Sequence, residues 1–243
     1  MSILLTGGRG RLGTELQKHL KVLAPSSQEL DITDVSSIQG YIHQHNPSLL
    51  IHAAAYTNVL GAEKDKQSCW KVNVEGTRNL VNIALEHSLP LIHMSTDYVF
   101  WGDHGGYKED DPLGPVRNYY ALSKLVAEEL VRVVPKHLVI RTSFRPLMWP
   151  YPTAFDDIYT SQDYVDIIAP DIALAIKRYT EIPYTTLHIA TECKSVYDLA
   201  CRRKPDVQRS SKANANVSLP EDISLDISRW QELKRQLERG NER

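Results

Sequence analysis

The chain has 243 residues, 42% of them apolar and 24% charged, with a formal net charge of −2. This composition suits one large globular domain, or one domain with a small lobe; it offers no basic field for nucleic acid and no apolar run long enough to span a membrane. The three cysteines, Cys69, Cys193 and Cys201, are scattered and odd in number. That fits reduced thiols without a zinc site, and with no signal peptide before the first strand the expected location is cytoplasmic.

Ser2 to Thr6 is a short apolar run ending at Gly7-Gly8-Arg9-Gly10-Arg11-Leu12-Gly13, and Thr14 to Leu20 continues at helical period with Leu12, Leu16 and Leu20 on one face. The reading is strand, glycine turn, helix. Lys21 to Ala24 is a second short strand, closed by Pro25-Ser26-Ser27. Asp34 is a natural N-cap for a helix over Val35 to Gln44, which Pro47 breaks. Leu49 to Ala55 is unbroken apolar sequence suited to a buried parallel strand. A helix from about Asn73 to Ser88, a strand over Pro90 to Thr96, a helix carrying Tyr120 and Lys124 to about Val134, and a strand over His137 to Thr142 follow. Strands alternating with helices at this rhythm predict an α/β fold with a doubly wound parallel sheet.

Composition changes after Thr142. Phe144 to Tyr164 is rich in Pro, Tyr, Trp and Asp, lacks a period and reads as irregular loop. Tyr164 to Lys177 is helical, Leu187 to Ala190 a short strand, and Val196 to Arg202 a short helix. Ser210 to Asp222 is polar and turn-rich, and Ser228 to Arg239 is amphipathic, with Trp230, Leu233 and Leu237 on one side. No internal repeat is visible.

Gly7, Gly10 and Gly13 are spaced Gly-x-x-Gly-x-x-Gly directly after a strand and at the start of a helix. A pyrophosphate needs this: a tight turn, close approach of the backbone, and close packing of helix on strand. An acidic residue at the end of the second strand would bind a ribose 2′-hydroxyl; Ala24-Pro25-Ser26-Ser27 has none. Arg9 and Arg11 lie within reach of a 2′-phosphate, and Ser26 can hydrogen-bond it. NADP(H) is therefore favoured over NAD(H), although arginines in an exposed loop are equally explained by solvation. Ser95 and Thr96 fall at the end of the next strand, the sheet edge where ligands bind, and a hydroxyl there can orient a carbonyl; a plain polar turn is the competing reading.

Tyr120 and Lys124 sit four residues apart, one helical turn, on one face. A phenol beside an ammonium is a candidate proton donor, with the positive charge expected to lower the phenol's pKa. Taken alone, Tyr-x-x-x-Lys arises by chance in many helices. The glycine loop, Thr96 and this pair are more specific together than any one of them.

With these residues in place the chain resembles the extended short-chain dehydrogenase/reductases and, within them, the dTDP-4-dehydrorhamnose reductases. The resemblance covers about Met1 to Ser143. It rests on Gly7 to Gly13, Leu30-Asp31-Ile32-Thr33-Asp34, Ala53-Ala54-Ala55-Tyr56-Thr57, Val72-Asn73-Val74-Glu75-Gly76-Thr77, Ser95 to Phe100, Asn118 to Lys124 and Arg141-Thr142-Ser143. It implies a Rossmann domain over 1–145, also receiving about 163–192, with a small, trimmed substrate lobe from 146–162 and 193–243. It implies a catalytic triad of Thr96, Tyr120 and Lys124, no metal, and a cofactor site that draws on Gly7, Arg9, Gly10, Arg11, Leu12, Gly13, Ser26, Asp31, Ile32, Ala53, Ala54, Ala55, Tyr56 and Asn73 as well as Tyr120 and Lys124. Asp97 and Tyr98, with Thr96 and Phe144, would face the substrate. The implied reaction is hydride transfer from NAD(P)H to C4 of a nucleotide-linked 4-keto-6-deoxy sugar, with Tyr120 protonating the oxyanion and Lys124 also bonding the nicotinamide ribose. A homodimer is compatible with the superfamily. Two competing readings are an epimerase or dehydratase with tightly held NAD, and a catalytically silent NADP-binding regulatory subunit.

The chain departs from the family where Arg-Thr-Ser-Trp gives way to Arg141-Thr142-Ser143-Phe144-Arg145-Pro146, which removes a large apolar surface from the expected sugar pocket. Ser161 to Asp166 replaces the family's Gly-x-Pro-Thr segment, while Ser224 to Trp230 resembles its C-terminal Leu-Asp-x-Ser-Lys element. His52 and His93 read as satisfied core histidines, and Glu109-Asp110-Asp111 as a solvated loop with a rim role open to it. Asp156, Asp157 and Asp163 make a poor metal site. Trp149, Tyr151 and Tyr159 either stack a nucleotide base or pack the small lobe.

Overall fold

In the computed structural model, residues 2–215 and 219–239 are described. Met1, 216–218 within the polar Ser210 to Asp222 stretch, and 240–243 at the end of the expected lobe lie outside them. The chain begins with β1 (Ile3–Thr6), α1 (Arg11–Leu16), α2 (Val35–His45), β2 (Leu49–His52), α3 (Val59–Lys64), α4 (Lys66–Trp70) and α5 (Gly76–Glu86). β3 (Leu91–Ser95), α6 (Tyr119–Val131) and β4 (His137–Arg141) follow. The later part holds β5 (Phe144–Arg145), β6 (Thr153–Phe155), β7 (Tyr159–Thr160), β8 (Asp163–Tyr164), α7 (Val165–Lys177), β9 (Thr186–His188), β10 (Lys194–Ser195), α8 (Val196–Cys201), β11 (Gln208–Ser210) and α9 (Ser228–Arg239).

Five strands form one parallel sheet in the order β1-β2-β3-β4-β9. The expected strand at Lys21 to Ala24 is reduced to a parallel bridge, Leu23 to Leu4, on the other flank of β1. Two backbone bonds of 2.8 Å hold it, Leu5 N to Leu23 O and Leu23 N to Ile3 O. The chain therefore winds outward in both directions from β1, and the reversal opens a crevice at the carboxyl ends of β1 and β2, the place where doubly wound sheets bind ligands.

Both faces of the sheet are covered, which is why its strands read as unbroken apolar runs. Consecutive strand residues point to opposite faces. Leu5, Ile51, Ile92 and Ile140 pack with Leu12, Leu16 and Leu20 around α1 and with Ile168, Ile172 and Ile176 of α7. Their neighbours Leu4, Leu50, Leu91 and Val139 pack with Ile38 and Ile42 of α2, Leu80 and Ile83 of α5, and Val131 of α6. The Asp34 cap stands as expected, while α1 stops at Leu16, short of the expected Leu20. Asp34 accepts the Ser36 N–H at 2.9 Å to start α2, and Asn46, at φ 42°, turns the chain out of it.

Two stretches differ from the sequence expectation. Phe144 to Tyr164 contains four short strands, paired β5 with β8, β6 with β11 and β7 with β10. Two of the three partners come from the far side of α7, so no local period could announce them. With α8 they enclose a small core of Trp149, Ala154, Ile158, Val196, Ala200 and Val207. The tail helix α9 lies under the main sheet rather than in that lobe: Trp230, Leu233 and Leu237 join the cluster of Leu5 and Ile172. Asp171 of α7 fixes it, accepting from Trp230 Nε1 at 2.9 Å and Lys234 Nζ at 2.7 Å.

Candidate active site

The crevice at the ends of β1 and β2 opens into a cleft of about 630 Å³. Its outer wall is the glycine turn. Gly7 sits at φ 76°, and a Cβ there would stand 2.6 Å from Ala54 N; a Cβ on Gly13 would stand 2.3 Å from Gly7 O. The two glycines therefore let turn, helix and β2 loop close on one another, leaving a backbone-lined cradle. Gly7, Arg9, Gly10, Arg11, Leu12 and Gly13 all line it, as do Ala53, Ala54 and Ala55 opposite. Ser26, Asp31 and Ile32 form the rim. The Asp31 carboxylate is committed to Thr33, accepting its N–H at 2.8 Å and its hydroxyl at 2.9 Å.

At the inner end stand Thr96, Tyr98, Tyr120, Lys124 and Phe144, together with Ser143, Arg145 and Gln162. Asn118 starts α6 by accepting the Ala121 N–H at 2.8 Å, and Tyr120, Lys124 and Glu128 then fall at successive turns facing β3. Lys124 Nζ donates to Met94 O at 2.7 Å and lies 3.3 Å from His93 Nε2. Burial lowers its pKa to about 8, against the opposing pull of Glu128. One turn on, Glu128 accepts from Ser95 Oγ at 2.8 Å and Arg141 Nη2 at 2.7 Å.

The phenol departs from the sequence expectation. The pKa of Tyr120 is raised, first by burial and then by the nearby Asp97 and Tyr98, while the neighbouring Thr96 hydroxyl works the other way. Helical spacing places Lys124 on the right face but does not set its rotamer, and here the ammonium is spent on the β3 backbone. Asp97 is fully buried beneath the cleft rather than lining it. It accepts from Thr96 Oγ1 at 3.0 Å and Ser143 Oγ at 2.6 Å, and burial raises its pKa in spite of these bonds.

Tyr56 and Asn73 do not line the cleft. Asn73 lies in a π-helical turn, Lys71–Glu75, between α4 and α5. Its Oδ1 accepts Tyr56 N–H at 2.7 Å, and its Nδ2 donates to Tyr56 O at 3.1 Å and Ser123 Oγ at 2.9 Å. It thus clamps the Ala53 to Tyr56 wall to α6, and the extra residue of the π turn aims it there.

His52 is satisfied by the hydroxyls of Thr6 and Thr77, each at 2.9 Å. His93 Nδ1 is buried without a partner. Trp149 is buried in the lobe core, whereas Tyr151 and Tyr159 are exposed. Glu109, expected in solvent, is buried; it accepts the His188 N–H at 3.1 Å and pairs with Arg229 at 3.5 Å. Sequence reasoning missed Ser143, whose partner Asp97 is an acid in an apolar segment and so a signal that a donor is needed. It also missed Gln162, for which no signal exists, and Glu29, whose carboxylate accepts both Ser26 N–H and Ser26 Oγ–H at 2.8 Å.

The model of the RmlD substrate binding domain matches residues 1–145. The chain belongs to the RmlD substrate binding domain family. Among relatives of this family member is the dTDP-4-dehydrorhamnose reductase of Aggregatibacter actinomycetemcomitans, 40% identical over 150 residues, or 58% of this chain and 51% of that one. In sequence the chain thus spans about half the length of the curated relatives it matches. Solved structures align over more of it. A dTDP-4-dehydrorhamnose reductase from Bacillus anthracis, in complex with NADP, has a TM-score of 0.84 at 26% identity, covering 98% of this chain and 97% of that one. A hypothetical dTDP-4-dehydrorhamnose reductase from Sulfolobus tokodaii has a TM-score of 0.83 at 30% identity, covering 96% and 94%. Among the described residues of this RmlD-family chain, no helix is long and apolar enough to cross a membrane.

Proposed function

We propose that the chain is a cytoplasmic, NADP(H)-dependent reductase of a nucleotide-linked 4-keto-6-deoxy sugar, acting as dTDP-4-dehydrorhamnose reductases do. One observation carries the reading: a glycine cradle after β1 and the trio Thr96, Tyr120 and Lys124 at β3 and α6 line the same cleft. The cradle fits a dinucleotide, because Gly7 and Gly13 let the turn, the start of α1 and the loop after β2 pack too closely for any Cβ, so that backbone lines the cleft. Arg9 and Arg11, which line it, suit a 2′-phosphate; Ser26, expected to join them, instead spends both its donors on Glu29. When bound, the reduced nicotinamide supplies a hydride to the carbonyl carbon.

The protein's own groups handle the oxygen. Tyr120 holds its proton firmly at neutral pH, since its pKa is raised. It therefore has a proton to give to an oxyanion, while burial and the neighbouring Asp97, which raise its pKa, oppose the tyrosinate that the transfer leaves behind. Thr96, whose hydroxyl is held by Asp97 and lines the cleft with Tyr120, orients the carbonyl. Lys124 holds the floor of the cleft against β3 and presents an ammonium below about pH 8.

The test follows NADPH absorbance against dTDP-, UDP- and GDP-linked 4-keto-6-deoxy sugars, with the wild type and Tyr120→Phe. Turnover with one of them, reduced about 10²- to 10⁴-fold by Tyr120→Phe with NADPH binding retained, is the expected result. Irreversibly bound NAD⁺ in the purified protein would instead indicate an epimerase or dehydratase. NADPH binding without turnover of any sugar would indicate a regulatory subunit.

A further inference from the structure

The departure Phe144-Arg145 places a cation in the wall of the cleft. Arg145 lies on β5, two residues beyond Ser143, and lines the inner end of the cleft beside Tyr98, Ser143 and Gln162. Its guanidinium carbon is 5.2 Å from the ring centroid of Trp149. Trp149 is itself immobilised in the lobe core, with Nε1 donating to Thr153 O at 3.3 Å. The cation is thus propped from one side by a ring that cannot neutralise it.

Nor does anything else neutralise it. Arg145 Nε is buried without a hydrogen-bond partner, and among the described residues the side chain makes no ion pair. The other arginines of this region are committed: Arg202 to Asp163 at 2.7 Å, Arg203 to Asp166 at 2.7 Å and Arg209 to Asp156 at 3.6 Å. The carboxyl that Arg145 influences is Asp97, whose own bonds go to Ser143 and Thr96 and whose pKa is raised. A buried guanidinium donor left unmatched is costly unless a ligand brings the acceptor.

We propose that Arg145 is the contact for the diphosphate of the nucleotide-linked substrate. The inference rests on the sugar-nucleotide reading above. With the reacting carbonyl at Tyr120, the diphosphate hangs from the opposite side of the same sugar ring, and Arg145 lines that same cleft with no carboxylate paired to it among the described residues. A guanidinium matches two phosphate oxygens in one plane, which an aliphatic residue at this position could not do.

The experiment measures dTDP, UDP and thymidine binding by calorimetry at saturating NADPH, so that the dinucleotide site is closed to them. The proteins are the wild type, Arg145→Leu and Arg145→Lys. The expected result is dTDP and UDP binding weakened about 10- to 100-fold in Arg145→Leu and less in Arg145→Lys, with thymidine unaffected. NADPH affinity and melting temperature stay at wild-type values in both variants, which excludes a folding defect. In turnover, Arg145→Leu raises KM for the sugar nucleotide and leaves kcat in place. Equal dTDP binding by wild type and Arg145→Leu overturns the proposal, as does wild-type binding of dTDP no tighter than of thymidine. Diphosphate binding that depends on Arg145 without turnover of any sugar would leave this site standing and remove the reductase reading; turnover indifferent to Arg145→Leu would do the reverse.

Discussion

Replacing Glu128 by glutamine should destabilise the protein more than any other single uncharging substitution near the cleft. Glu128 and Arg141 are an ion pair with side-chain exposures of 0% and 1%, so neither charge can be taken over by solvent. The carboxylate also accepts from Ser95 Oγ at 2.8 Å and Arg132 Nη2 at 2.8 Å. The Arg132 arm is partly exposed and contributes under about 1 kcal/mol. The buried arm is different: removing one partner strands the other, at a cost of about 3–5 kcal/mol. For a chain of this length that is roughly 6–20 °C in melting temperature. Urea denaturation at neutral pH should show the midpoint falling with the slope unchanged.

The pH dependence carries a sign. Burial alone raises the Glu128 carboxyl, but the hydrogen bonds and charge of Arg141, with Ser95 and Arg132, outweigh it and hold its pKa below the ordinary carboxylate value. A depressed folded pKa means that the stabilisation is complete above the unfolded carboxylate range and fades as pH falls through the folded value. The wild type and Glu128→Gln should therefore converge in acid. A loss below about 1 kcal/mol at pH 7 would refute the reasoning. It would show that Glu109, whose backbone oxygen already accepts from Arg141 at 3.0 Å, or His188 compensates the guanidinium.

Other outcomes follow from the cleft. Gly13→Ala puts a methyl 2.3 Å from Gly7 O, so the cradle must open and NADPH affinity, read by fluorescence titration, should drop roughly 10- to 100-fold; unchanged affinity would mean that the dinucleotide lies elsewhere. Glu29 occupies both donors of Ser26, and those two bonds, with the charge of Arg9, hold its carboxyl below the ordinary value. Glu29→Gln removes a negative charge from the rim and should raise the ratio of NADPH to NADH affinity roughly two- to fivefold at low salt, a constant ratio counting against Glu29 as a coenzyme discriminator. Lys124, lowered to about 8 by burial, loses its ammonium above that pH, so turnover in the wild type should decline on the alkaline side and Lys124→Met should lack that limb. Because the unfolded lysine keeps its proton longer, wild-type stability should rise between about pH 8 and the ordinary lysine value, and the methionine variant should show no such rise in a denaturation series.

What could be read from the sequence was whatever depends on near neighbours along the chain. The Asp34 cap, the Leu12-Leu16-Leu20 stripe, the apolar strand at Leu49 and the face shared by Trp230, Leu233 and Leu237 all have their partners, or their period, within a few residues. The strand pairs of the lobe do not: Thr153 meets Gln208, and Thr160 meets Lys194. Burial of Glu109 depends likewise on His188 and Arg229, far along the chain. In the cleft, residue type and spacing placed the glycine turn, Thr96, Tyr120 and Lys124 together, but rotamers decided their electrostatics. Lys124 turned toward Met94 O, Asp97 turned under the cleft, and Asn73 became a clamp because a π turn redirected it.

The lobe is built from two separate excursions of the chain, 146–162 before α7 and 193–222 before α9, joined by the pairs β6 with β11 and β7 with β10. Neither excursion can be a transplantable unit. A chimera that borrows a relative's substrate specificity has to exchange both segments at once, while leaving α7, β9 and α9 in place under the sheet. A nick in either excursion should loosen both, since each supplies half of every pair that holds the other.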